Sequence, residues 1–149
     1  MRTRIGLSIV AVVVISLAAC ESGPESSEPE AANPARVRLE AALSDGTAIV
    51  GAAEADGESW EYLLQATSYD PATGIFTGDI AWPTLAAVHL VEGVVTEHTV
   101  TFTETDYLQE GSALLGCVYI ADLVGDGSRL EGTWGQCEGW EGTFYMKVP

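Results

Sequence analysis

From Arg36 onward, apolar and polar residues alternate with a period of two, and glycine-containing turns interrupt the alternation at short intervals. This is the pattern of half-buried β-strands. Trp60, Tyr62, Leu64 and Ala66 fall on one face of a strand that ends at Asp70-Pro71-Ala72-Thr73-Gly74, a run of turn formers. Phe76, Ile80 and Trp82 share a face of the next strand, which Pro83 closes. Residues 88–95 and 99–103 pair across Glu97-His98, and the last strands run over 114–124, 129–136 and 142–148. Val37, Leu39, Ala41 and Leu43 also alternate, before Ser44-Asp45-Gly46, and a short helix fits that stretch as well. Eight or nine short strands with short connections predict an all-β domain built as an antiparallel meander. The expected architecture is a small up-and-down β-barrel of about eight strands, with a two-sheet β-sandwich as the alternative. Closure has the advantage of leaving no unpaired edge.

Ahead of this domain the pattern changes twice. Arg2 and Arg4 precede an apolar run from Ile5 to Leu17, interrupted by Gly6, Ser8 and Ser16. The run is shorter than the roughly 20 residues that span a bilayer and has the length of a signal-peptide core, followed by small residues. It ends in Leu17-Ala18-Ala19-Cys20. Over these first 20 residues the chain resembles bacterial lipoprotein precursors, and that quartet, a lipobox, carries the resemblance. The resemblance implies cleavage before Cys20, a diacylglyceryl thioether on its sulfur, and fatty-acyl chains such as palmitate that hold the protein on the extracytoplasmic side of a membrane. An ordinary secretory signal cut after Ala19, or an uncleaved anchor, are the alternatives. Glu21 to Ala35 holds Pro24, Pro29 and Pro34, four glutamates and no aromatic residue, so it reads as a disordered tether. The organisation expected is therefore a signal peptide over 1–19, a lipidated tether over 20–35 and a single β domain over 36–149. Glu21 stands where an aspartate would signal inner-membrane retention in Gram-negative lipoproteins, so cell membrane and outer membrane both remain open.

Charge narrows the partners. All 22 acidic residues follow Cys20, whereas two of the six basic residues lie in the leader. Without the leader and the four tether glutamates, the domain keeps four basic residues against 18 acids, a net −14. That sign excludes nucleic acid and electrostatic adhesion to anionic lipid as expected partners, and leaves a basic protein or a small apolar ligand.

Cys117 and Cys137 form an even pair in an exported domain and are expected to be disulfide-bonded. They are symmetric about Gly127, in the turn Gly125-Asp126-Gly127-Ser128. A hairpin centred there sets Cys117 opposite Cys137, Ile120 opposite Trp134, Val124 opposite Leu130 and Tyr119 opposite Gly135. Its core face would hold Val118, Ile120, Val124 and Trp134; a single bulge would move this register by one residue. The repeat Glu131-Gly132-Thr133-Trp134 and Glu141-Gly142-Thr143-Phe144 recurs ten residues on and reads as architectural, glycine for bending and aromatic for volume.

Catalytic signals are sparse. The two histidines, His89 and His98, are placed on an outward strand face and in a turn. No Gly-x-Ser-x-Gly elbow and no metal-ligand spacing occurs, so neither a catalytic residue nor a metal or other cofactor is expected. Glu92, Glu97, Glu104 and Asp106 read as a charged outer face, and 122–127 as a turn. The four tryptophans, Trp60, Trp82, Trp134 and Trp140, are many for one small domain and read either as core filling or as an aromatic-lined mouth or cavity. Trp134 is expected in the core, and Trp140, in a short connection before the last strand, is the candidate ligand-binding residue at a barrel mouth. The meander and its size are loosely similar to calycin-type small barrels, lipocalin-like or avidin-like. The function these features support is a non-enzymatic, membrane-anchored binding module for a small ligand or protein partner. An inhibitor or decoy of a cationic envelope enzyme such as a lysozyme is the first alternative, and a hydrolase the second.

Overall fold

The computed structural model describes residues 31–149. The lipobox, Cys20 and most of the expected tether lie outside the described residues. Eight antiparallel strands form a closed barrel in chain order: β1 (Ile49–Ala55), β2 (Glu58–Tyr69), β3 (Ile75–Trp82), β4 (Ala87–Val95), β5 (Thr99–Gln109), β6 (Val118–Asp122), β7 (Arg129–Cys137) and β8 (Trp140–Lys147). β1 pairs with β8 to close the ring, from Val50 opposite Lys147 to Glu54 opposite Thr143. The meander is thus a barrel and not a sandwich. An eight-stranded ring has an interior just wide enough for side chains or one small ligand.

The stretch before β1 is a helix, α1 (Pro34–Asp45). It buries Ala35, Leu39, Ala42 and Leu43, a spacing of four, three and one that suits a helical stripe. Val37, which the alternating reading grouped with Leu39, is half exposed. Asn33 caps the helix: its Oδ1 accepts from Ala35 N, and its Nδ2 donates to the carbonyls of Leu123 and Glu97. Pro34 occupies the first turn, where a missing N–H costs nothing. Gly46, with φ of 65°, ends the helix in the left-handed conformation. The helix thus takes in Pro34 and Ala35, the last two residues of the segment expected to be tether.

α1 covers one end of the barrel. Arg38 Nε donates to the carbonyls of Val148 and Pro149, Tyr69 donates to Glu40 at 2.7 Å, and Ala35 packs on Gly127 so closely that a β-carbon there would collide. Beneath the helix the interior is filled by Tyr62, Phe76, Ile80, Phe102, Leu130 and Met146.

The inward faces of β2 and β3 are those the sequence predicts, and β4 and β6 are reversed. On β6 the buried residues are Tyr119 and Ala121, followed by Leu123, while Ile120 and Val124 are exposed. The ladder sets Tyr119 opposite Trp134 and Val118 opposite Gly135, one residue from the symmetric register. The cause is a break in β7 between Trp134 and Cys137, where Gln136 adopts φ of 65°. Leu130 and Trp134 face inward on even positions; after the irregularity Cys137 also faces inward and bonds to Cys117. The disulfide is therefore as expected, while the strand faces derived from it are not. On β4, Ala87, His89, Val91 and Val95 face inward and Leu90 faces solvent.

The ten-residue repeat has a reciprocal geometry. Gly132 lies opposite Phe144, and Trp134 lies opposite Gly142. Each aromatic sits beside the other copy's glycine. A β-carbon at Gly132 would strike the Ile120 carbonyl, and one at Gly142 the Glu54 carbonyl and the Trp134 indole nitrogen.

Candidate binding site

The barrel end opposite α1 is formed by the β1–β2 turn, the short 3-10 turn Pro83–Leu85, the 110–117 connection and the β7–β8 turn. A cavity of about 220 Å³ opens there. All four tryptophans of the chain line it: Trp60 from the start of β2, Trp82 from the end of β3, Trp134 from β7 and Trp140 from the start of β8. Period two explains the convergence. Each strand delivers one inward position at this end, and the sequence places tryptophan at four of them. Leu85, Ala113 and Leu114 add apolar wall, Ser112 supplies a hydroxyl, and Cys117 and Tyr119 lie deeper.

Tyr119 stands at the centre of an aromatic cluster. Its ring stacks on Phe102 at 4.6 Å between centroids and meets Phe144 edge-on at 5.3 Å. Trp82 and Trp134 each lie 6.4 Å away on the cavity side. Trp134 is fixed by its Nε1–H donating to the Glu54 carbonyl at 3.3 Å. Trp140 is different: it is 45% exposed and forms the rim. The structure thus places the two tryptophans as the sequence reading did, one in the core and one at the mouth.

Behind Tyr119 lies a polar cluster that sequence reasoning missed. Glu104 on β5 is 1% exposed and His89 on β4 is fully buried. Tyr119 Oη donates to Glu104 Oε1 at 2.8 Å, and Glu104 Oε2 pairs with His89 Nδ1. The His89 ring meets Tyr107 edge-on at 5.0 Å. Burial pushes the Glu104 carboxyl above its ordinary value, against the opposing pull of the His89 and Tyr119 hydrogen bonds. Burial likewise pushes the Tyr119 phenol well up, and the neighbouring carboxylate adds to it. The outward placement of His89 and the grouping of Glu104 with an exposed face are therefore both overturned. The available signal was the alternation itself: Ala87, His89 and Val91 share one face, as do Val100, Phe102 and Glu104. Trp82 Nε1 and His89 Nε2 are buried without a hydrogen-bond partner.

The other sequence candidates are scattered. Glu92, Glu97 and Asp106 are exposed, and His98 lies in the exposed β4–β5 turn. Asp126 accepts from the Ser128 amide and hydroxyl and so organises a turn. Among the described residues, no three His, Cys, Asp or Glu side chains gather in a way that could hold a metal ion. The chain matches no family model, no curated protein and no solved structure.

Proposed function

We propose that this chain is a lipid-anchored, extracytoplasmic binding module that takes a small ligand into the tryptophan-lined mouth of its barrel and performs no chemistry on it. The carrying observation is the mouth itself, a concave, largely apolar opening to which one end of the barrel contributes every tryptophan of the chain. Small-ligand sites have this composition, apolar and aromatic walls with few polar groups. The buried Glu104, Tyr119 and His89 support a binding reading over a catalytic one: the Tyr119 hydroxyl and His89 Nδ1 are held by the two oxygens of Glu104, and neither His89 nor Glu104 lines the cavity. That makes the cluster a strut for the cavity floor, with Glu104 acting on ligand only through Tyr119. The anchor rests on Leu17-Ala18-Ala19-Cys20, which places the barrel at a membrane surface by way of acyl chains.

Two experiments test this reading. Metabolic labelling with a fatty acid should mark the wild-type chain and not Cys20→Ala; equal labelling of both removes the anchor. A small-molecule screen against the mature protein, followed by tryptophan fluorescence and thermal melting, should return ligands that shift both signals. A ligand at a hundred times its Kd stabilises by about 2.7 kcal/mol. Ligands that act equally on wild type and Trp140→Ala would place binding elsewhere. A partner protein that covers the mouth and resists displacement by small molecules would favour an inhibitor over a ligand carrier.

A further inference from the structure

We propose that the ligand of this mouth is an organic cation, and specifically a quaternary ammonium head group. The inference rests on the small-ligand reading above and concerns the chemistry of its occupant. Three observations carry it. First, four indole rings and the Tyr119 phenol surround one small opening. An electron-rich ring attracts a cation over its face, tryptophan most strongly, and a cage of several such rings is the recurring site for methylated ammonium groups. Second, charge is segregated along the barrel axis. Among the described residues, all the basic side chains, Arg36, Arg38, Arg129 and Lys147, sit on α1 or at the strand ends beneath it. The connections around the mouth carry Asp56, Glu58, Glu110, Glu138 and Glu141, all exposed, and no basic residue. The rim therefore draws cations toward an opening that repels anions. Third, the described residues lining the cavity include no carboxylate and no basic group. A primary ammonium brings three N–H donors that would need acceptors there. A quaternary ammonium brings none, so it loses less on leaving water and gains the same attraction from the rings.

Glu104 reinforces this choice. Its carboxyl accepts the Tyr119 hydroxyl directly behind the cavity floor, which makes the phenol ring richer in electrons where the cation would rest. Size agrees as well: the cavity of about 220 Å³ is below the roughly 300–1,000 Å³ of sites for drug-sized molecules. It suits a head group, with any longer chain leaving past Trp140.

The test uses calorimetric titration of the mature protein with three probes of nearly equal reach. They are choline, its uncharged carbon isostere 3,3-dimethylbutan-1-ol, and ethanolamine. Choline should bind at least about ten-fold tighter than the isostere, and tighter than ethanolamine. Trp140→Ala, at the exposed rim, should weaken choline by about ten-fold, and Glu138→Gln with Glu141→Gln should weaken it a few-fold at low salt and less at physiological salt. Equal affinity for choline and the isostere would overturn the cation proposal while leaving an apolar small-ligand site in place. Ethanolamine binding as tightly as choline would overturn the quaternary preference. No binding of any of the three would overturn the cation proposal and count against the small-ligand reading as well.

Discussion

Trp134 and Trp140 are both cavity-lining tryptophans of the β7–β8 hairpin, yet the structure assigns them opposite energetic roles. Trp134 is 7% exposed, donates to the Glu54 carbonyl and lies 6.4 Å from Tyr119. A tryptophan buries about 200 Å²; at about 25 cal/mol per Å² its removal forfeits up to about 5 kcal/mol, an upper bound because unfolded chains already cover some surface. Aromatic-to-alanine changes in cores cost about 3–5 kcal/mol, so about 4 kcal/mol is expected for Trp134→Ala. Trp140 keeps 45% of its surface in water, and its removal widens an open rim without enclosing a void. About 1–2 kcal/mol is expected for Trp140→Ala. Trp134→Phe, which keeps a ring but loses the indole hydrogen bond, should fall between them. Urea unfolding of the oxidised protein, followed by far-UV circular dichroism to avoid the altered fluorescence, gives the three values from the midpoints and slopes. If Trp134→Ala and Trp140→Ala agree within about 1 kcal/mol, the division into core and rim is wrong.

Two further expectations concern the covalent and charged features of the interior. Non-reducing peptide mapping should recover Cys117 joined to Cys137, and replacing both by serine should destabilise the domain by about 3 kcal/mol, since the bridge closes a loop of 20 residues; two free thiols in protein folded under oxidising conditions would contradict the fold at the mouth. For Glu104, burial raises the folded carboxyl above its unfolded value, so its contribution is fully present below the unfolded pKa and is lost as pH rises through the folded one. Glu104→Gln keeps an acceptor for Tyr119 and offers an amide donor to His89, without the charge. Its stability relative to wild type should therefore increase as pH rises from below the ordinary carboxylate value through the raised folded one, and a difference that is flat or shrinks as pH rises would refute the assignment.

How much of this was legible in the chain depended on whether one face of a strand outweighed the other. In β2 and β3 it did: Tyr62, Leu64, Phe76, Ile80 and Trp82 align on one parity, and all are buried. In β4 it did not, because Val88 and Leu90 on one face are as apolar as Ala87 and Val91 on the other, and the polarity of His89 tipped the reading outward. The partner that makes its burial tolerable, Glu104, comes from the neighbouring strand. β6 was reversed by the irregularity at Gln136, where the left-handed φ falls on the glutamine and not on Gly135 beside it, the residue better suited to that conformation. The helix was visible as an option and was decided by Leu39, Ala42 and Leu43 finding a barrel end to cover. Trp140 could be placed at a rim from its position beside the β7–β8 turn. An aromatic-lined mouth was suggested by the number of tryptophans alone; that all four meet in one opening needs the inward parity of β2, β3, β7 and β8 at once.

Four rings that line a single ligand site carry the chain's four indole N–H groups, and those groups report directly on its occupancy. The decisive measurement is a titration of the ¹⁵N-labelled mature protein with choline, followed in the nitrogen–proton spectrum. The indole signals of Trp60, Trp82, Trp134 and Trp140 should all move along one saturable curve with a common midpoint. Indole signals that stay fixed, or a change confined to Trp140, would contradict a single site.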